Sequence, residues 1–111
     1  MAISTLAPRE RATLDRAREA IRELEPGAEV ILYGSRARGE PSAESDFDLL
    51  ILLEVPVEQV REAALLRRLY ALELEREVLF GVVIHSREEW ASPLFRAMPF
   101  HQNVSREGVR L

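Results

Sequence analysis

Apolar residues recur along the chain in two spacings, one typical of helices and one typical of strands. From Pro8 to Glu25 they return every three or four positions between charged residues, which predicts an amphipathic helix. Pro26-Gly27 marks its end. A longer helix is predicted from Val57 to Arg76, where apolar positions cover more than one face. A helix with apolar residues on more than one face is either buried in the core or in contact with a second molecule.

Three predominantly apolar segments predict strands. They span Glu29–Tyr33, Phe47–Val55 and Val78–His85. In the second segment apolar residues occupy both odd and even positions, which is typical of a central strand buried on both faces. Pro56 ends this segment. The second strand should therefore lie in the middle of the sheet.

Sequence patterns typical of helix starts and ends occur between these strands and after the last one. Arg36–Arg38 are expected to begin a short helix after the first strand. Ser86 and Glu89 have the spacing of a capping box, so another helix should start there and hold Trp90, with Leu94 as a further candidate, against the core. Two later prolines, Pro93 and Pro99, predict that this region is broken. The alternation predicts an α/β (α+β) fold in which a small mixed sheet is backed by helices.

Length and composition narrow the possible functions. A chain of 111 residues is expected to form one domain, residues 1–111. The sequence has no cysteine and no lysine, which excludes disulfides, cysteine-ligated metals, thiolate nucleophiles and a P-loop lysine. A formal charge of −4 argues against strong nonspecific binding to nucleic acid. No apolar run is long enough for a membrane span and no signal pattern is present, so we expect a cytoplasmic protein.

The loop that separates the first two strands carries the candidate chemistry. Asp46 and Asp48 flank Phe47 at the start of an aliphatic strand, and only three of the 19 acidic residues of the chain are aspartates. Alternation along a strand would place both carboxylates on one face, roughly 6.6 Å apart along the backbone. Paired carboxylates repel each other unless a cation lies between them. These hard oxygen ligands predict a Mg²⁺ or Mn²⁺ site.

The other end of the same loop has the pattern of a phosphate site. The first strand stops at Gly34-Ser35, and a turn there directs free backbone N–H groups outward. Arg36 and Arg38 follow directly, and guanidinium groups bind phosphate oxygens in bidentate fashion. We therefore identify Gly34, Ser35, Arg36 and Arg38 as candidate nucleotide-binding residues.

In combination these motifs resemble a known enzyme family. Gly34-Ser35, Arg38 three positions later, the eleven-residue step to Asp46 and the Asp-x-Asp ahead of an aliphatic run are similar to the minimal nucleotidyltransferases of the DNA polymerase beta superfamily. The resemblance implies a fold like the palm of that polymerase. It also implies that Gly34, Ser35 and Arg38 bind the triphosphate of a nucleotide, with Arg36 a weaker candidate. Asp46 and Asp48 would be the catalytic residues and would hold the metal ions.

The resemblance further implies a reaction and a partner. The protein would transfer a nucleoside monophosphate from a nucleoside triphosphate, with ATP the expected one, to a hydroxyl acceptor, and release pyrophosphate. The acceptor could be a side chain of a helical HEPN-domain protein in a toxin–antitoxin pair. The long apolar helix could dock that partner or a second copy of the chain.

One departure from the family pattern opens an alternative. The family's third carboxylate is expected on the strand after the long helix, where this sequence has Gly81. Glu77 would replace it only if the alignment shifted by four residues. Without a third carboxylate, the chain would be a catalytically weakened nucleotide-binding subunit that mainly docks a helical partner.

Overall fold

The three predicted strands and the two predicted long helices are all present, in the predicted order. The computed structural model describes residues 6–34, 37 and 46–111. The elements in chain order are α1 Pro8–Leu24, β1 Glu29–Tyr33, β2 Phe47–Leu53, α2 Gln59–Arg76, β3 Phe80–Ser86, α3 Arg87–Trp90, α4 Pro93–Arg96, α5 Pro99–Glu107 and β4 Val109–Arg110. The α/β class is therefore confirmed.

The strands form one mixed sheet in the order β3-β2-β1-β4. β2 runs parallel to β3 and antiparallel to β1, which in turn pairs antiparallel with β4. The parallel pair requires a crossover, and α2 supplies it. β4 was not predicted from the sequence because two residues are too few to show an alternation. The prediction of a small mixed sheet with the second strand in the centre is confirmed.

Several predicted boundaries move by about two residues. β1 has the predicted bounds, whereas β2 ends at Leu53 rather than Val55 and α2 begins at Gln59 rather than Val57. β3 begins at Phe80 rather than Val78, because the N–H of Val78 still bonds the carbonyl of Glu73 in the last turn of α2, 3.2 Å away. The short helix predicted at Arg36–Arg38 lies outside the described residues.

Two apolar clusters cover the two faces of the sheet. The first joins α1 and α2 to alternate residues of β2, namely Phe47, Leu49, Ile51 and Leu53. The second contains Leu50, Leu52 and Val104 of α5, with Tyr33, Val83, Trp90 and Phe100 packed against it. β2 is thus buried on both sides, which explains why five consecutive aliphatic residues, Leu49–Leu53, follow Asp48.

The predicted break in the last helical region is confirmed. Ser86 caps α3 by accepting a hydrogen bond from the N–H of Glu89, and Pro93 and Pro99 each start a new helix. Proline suits this first position because it has no N–H to leave unpaired. Trp90 packs against the second cluster as expected, but the expectation for Leu94 is wrong, since its side chain is 72% exposed on α4.

The long helix α2 is only partly buried. Its buried residues are Leu65, Leu69 and Leu72. Four other apolar residues of the helix, Val60, Leu66, Tyr70 and Leu74, are exposed. The described part of the chain therefore leaves the surplus apolar surface of α2 uncovered. No helix in that part is both long enough and apolar enough to cross a membrane.

Candidate active site

Three residues on neighbouring strands lie side by side near the end of the sheet where β1 stops and β2 begins. Asp48, the second residue of β2, pairs with Tyr33 of β1 on one side and with Gly81 of β3 on the other. Their neighbours two residues along, Ile31, Leu50 and Val83, all belong to the second cluster. Because strand residues two apart share a face, Asp48 lies on the face of the sheet that α5 covers farther along.

Gly34 brings the predicted phosphate turn against the predicted metal ligand. It directly follows β1, and its backbone has φ +76°, a conformation that residues with a Cβ rarely adopt. A Cβ placed on Gly34 would lie 2.5 Å from Oδ2 of Asp48. Only glycine therefore satisfies both the turn and the close approach of the carboxylate.

Asp46 is oriented by a backbone contact. It precedes β2, and its Oδ2 accepts a hydrogen bond of 2.8 Å from the N–H of Leu79, while its own N–H donates to the carbonyl of Leu79 at 2.9 Å. These two bonds tie the start of β2 to the residue just before β3. The second carboxylate oxygen, Oδ1, can still serve as a ligand.

The three glutamates nearest to a third-carboxylate position have other places in the fold. Glu73 uses Oε2 to accept a hydrogen bond of 2.7 Å from the N–H of Phe80. Glu75 pairs with Arg16 of α1 at 3.6 Å. Glu77 has left-handed backbone, φ 57° and ψ 48°, at the C-terminus of α2 and is not part of β3. Glu77 therefore does not have the strand position that the four-residue shift of the alignment would require, and Gly81 is the β3 residue beside Asp48.

Tyr33 is a neighbour of the site that the sequence pattern did not reveal. Burial and the negative charge of Asp48 raise the pKa of its phenol above 10.0. Its ring also packs edge-on against Phe100 of α5, with centroids 5.2 Å apart. Tyr33 appears in the sequence only as the last residue of an apolar strand, so its place beside Asp48 depends on the antiparallel register of β1 and β2.

The remaining predicted nucleotide-binding residues, Ser35, Arg36 and Arg38, lie outside the described residues. The structure therefore brings together Gly34 and Asp48, with Asp46 two residues away. Asp46 and Asp48 provide the hard oxygen donors that suit Mg²⁺ or Mn²⁺. Within residues 6–34, 37 and 46–111, no group of three or more acidic, histidine or cysteine side chains is arranged to hold a metal ion. Two carboxylates fit a divalent cation whose other ligands are water and phosphate oxygens.

Comparison with known proteins agrees with this arrangement. A family model for the nucleotidyltransferase domain matches residues 14–102, which include both aspartates and Gly34. A protein of Methanocaldococcus jannaschii named "Putative protein adenylyltransferase" is 36% identical over 84 residues, covering 71% of this chain and 72% of the relative. No solved structure matches the chain. This chain belongs to the nucleotidyltransferase domain family, and it is a transferase that acts on nucleotides.

Proposed function

We propose that the protein binds a nucleoside triphosphate with Mg²⁺ or Mn²⁺ and transfers the nucleoside monophosphate to a hydroxyl acceptor. The observation that carries the proposal is the contact between Gly34 and Asp48. It places the turn predicted to bind phosphate directly against a carboxylate predicted to hold the metal. Asp46 would be the second ligand, held in place by the backbone of Leu79.

The proposed reaction is an in-line displacement at phosphorus. The acceptor oxygen attacks the α-phosphorus, the bond from that phosphorus to the bridging oxygen breaks, and pyrophosphate leaves. The hydroxyl proton passes to a base or to solvent. When bound, the cation neutralises phosphate charge in this in-line displacement. Asp46 and Asp48 would bind and orient it. Gly34, Ser35 and Arg38 would bind the β- and γ-phosphates, and Arg36 is a weaker candidate.

Arg38 offers a direct test of the phosphate assignment. In Arg38→Ala we expect weaker binding of a triphosphate and almost unchanged binding of the monophosphate, because a guanidinium on the terminal phosphates has no partner in the monophosphate. Calorimetry with ATP and AMP measures both affinities. Equal losses for the two nucleotides would remove Arg38 from the triphosphate site.

ATP and a protein hydroxyl are the substrates that the comparison favours. The name of the archaeal relative describes transfer of an adenylyl group to protein. By the family resemblance, the acceptor is a tyrosine or serine hydroxyl on a helical HEPN-domain partner, and the pair acts as a toxin and its antitoxin. Val60 and Leu74, near the two ends of α2, are exposed apolar residues that such a partner could contact.

The position of Gly81 supports a second candidate function. Gly81 occupies the β3 position next to Asp48, so the described residues provide two carboxylates at the site rather than three. A second metal ion would lack a ligand, and the acceptor hydroxyl would lack the base that such an acid can provide. The protein would then bind the nucleotide and transfer it slowly on its own, or serve mainly as a nucleotide-binding subunit.

Transfer can be tested by incubating the purified protein with labelled nucleoside triphosphates, with and without the product of a neighbouring gene. The labelled product identifies the acceptor.

Calorimetry with ATP in the presence of Mg²⁺ tests nucleotide binding separately. We expect Asp46→Asn and Asp48→Asn both to weaken binding, since each removes an anionic ligand from a hard cation. Glu54→Gln, a loss of charge at the other end of β2, is the matched control. Unchanged affinity in both aspartate variants would contradict the proposed metal site.

A further inference from the structure

The residues of β3 lack the features that normally protect the edge strand of a sheet. β3 is the end strand, and among the described residues no strand pairs with this edge. Natural edge strands are short, or carry charged residues, prolines or bulges that discourage further pairing. β3 has seven residues, Phe80–Ser86, with no proline, no acidic residue and no arginine, and its register with β2 is continuous. Such an edge favours pairing with another strand.

The opposite edge of the sheet, formed by β4, differs from β3 in length and in charge. β4 has two residues, and one of them is Arg110, whose Nε lies 2.6 Å from a carboxylate oxygen of Glu29. A short, charged strand discourages further pairing. As far as the described residues show, the sheet is therefore protected at one edge and open at the other.

An apolar flank of α2 lies beside the open edge. The hydrogen bond from the N–H of Phe80 to Glu73 shows which flank of α2 faces the start of β3. Tyr70 and Leu66 precede Glu73 by three and seven residues, so they lie on the same side of the helix. Their exposed fractions are 60% and 43%. Glu73 thus occupies the first N–H of the outer edge, at Phe80. Beyond Phe80 the strand carries no acidic residue and no arginine, and the exposed apolar helix flank lies beside it.

We propose that a second copy of this chain pairs with β3 in antiparallel fashion and continues the sheet across a two-fold axis. Antiparallel pairing centred on Val83 places Val83 opposite Val83 and Val82 opposite Ile84, while the N–H of Phe80 remains bonded to Glu73. All of these side chains are apolar, so no like charges meet. A two-fold interface requires this self-complementarity, because each residue meets the partner's copy of the same strand.

The helix flank fits the same axis. From Phe80 to Val83 the strand advances roughly 10 Å, which corresponds to about seven residues of helix. Counting back from Glu73, the level of Val83 falls near Leu66. An axis through the middle of β3 would therefore bring Leu66 and Tyr70 of one copy against the same residues of the other. Strand pairing would supply the hydrogen bonds of this interface, and the helix flanks would bury its apolar area.

Light scattering after size-exclusion chromatography, over a range of protein concentrations, measures the oligomeric state. We expect a mass of twice the 12.7 kDa of one chain. Tyr70→Glu places a charge on the flank and should give a monomer. Leu94→Glu is the matched control, because Leu94 is even more exposed than Tyr70 but lies on α4, and this variant should stay dimeric. A monomeric native protein, or a Tyr70→Glu variant that remains dimeric, would overturn the proposal.

Cysteine cross-linking tests the strand register. The chain has no cysteine, so a single introduced thiol can react only with its copy. Directly opposed residues of antiparallel strands have Cα atoms about 4.5–5.5 Å apart, which a disulfide can span. We expect Val83→Cys to form a covalent dimer under mild oxidation much faster than Leu94→Cys. Equal, slow cross-linking of the two variants would refute strand pairing through β3.

Discussion

Gly81 is the parallel-strand partner of Asp48, so a residue without a side chain lies beside the best-placed carboxylate of the site. The two Cα atoms belong to neighbouring strands, which are separated by about 4.8 Å. A carboxylate at position 81 would therefore reach a cation held by Asp48. The glutamates on the preceding helix and its C-terminus do not replace it, because Glu73, Glu75 and Glu77 have other positions in the fold.

The first prediction is a gain of function at this position. We expect Gly81→Asp to raise the rate of nucleotide transfer by on the order of a hundredfold, because an added carboxylate can hold a second cation and accept the acceptor's proton. Gly81→Asn, which has the same shape without the charge, is the control and should not raise the rate. Single-turnover transfer from labelled ATP measures both. No increase in the aspartate variant would show that Gly81 is not the deficient position.

The second prediction concerns Glu77. Its left-handed backbone ends α2, a conformation that glycine adopts without strain. We expect Glu77→Gly to stabilise the fold by about 0.5–1 kcal/mol, measured by urea unfolding. Glu77→Gln should leave transfer unchanged. Robust native turnover that disappears in Glu77→Gln would instead make Glu77 the third acid.

The third prediction concerns the contact between Gly34 and Asp48. Gly34→Ala should destabilise the fold by about 1–2 kcal/mol, because alanine pays a steric cost at positive φ. It should also weaken the binding of ATP with Mg²⁺, since the new methyl group displaces the Asp48 carboxylate. Gly27→Ala is the control. The atoms nearest to its methyl group would be Oε1, Cδ and Cγ of the flexible, exposed Glu54 side chain, which can move away, so nucleotide binding should persist. Native affinity in Gly34→Ala would argue against a role for this contact in binding.

The fourth prediction is a loss of stability at alkaline pH. The pKa of Tyr33 is raised in the folded protein by burial and by Asp48, so the folded state keeps the phenol proton at pH values where the unfolded chain has lost it. Its contribution to stability is therefore fully present below about pH 10 and is lost as the pH rises through the folded pKa. We expect Tyr33→Phe to lose less stability than the native protein over this range. Urea unfolding in metal-free buffer at a series of pH values measures the difference, and parallel curves would contradict the assignment.

The sequence predicted the strands and the long helices well because their signals are strong and local. β2 is a seven-residue strand buried on both faces, and only a central strand needs apolar residues at both parities. The boundaries were less accurate where backbone hydrogen bonds extend an element beyond its apolar pattern. Val78 is apolar and reads as strand, yet its N–H still completes the last turn of α2.

The candidate site was predictable only in part. Gly34, Asp46 and Asp48 lie within one stretch whose spacing carries the family pattern, and the family itself is confirmed. The neighbours of Asp48 depend instead on how distant segments pair. Tyr33 is adjacent to Asp48 because of how β1 pairs with β2, and Gly81 is adjacent to it because of how β3 pairs with β2. The spacing of residues along the chain does not predict either pairing.

The burial of β2 also fixes how the site can move. Asp48 is continuous with Leu49, Leu50 and Ile51, which are completely buried between β1 and β3. Amides in such a strand exchange with solvent only when the whole fold opens, whereas those of the two-residue edge strand β4 should exchange through local fraying. We therefore expect the Asp48 carboxylate to be anchored to the most slowly exchanging part of the described fold. Any closure around a bound nucleotide must come from other segments moving toward this fixed strand.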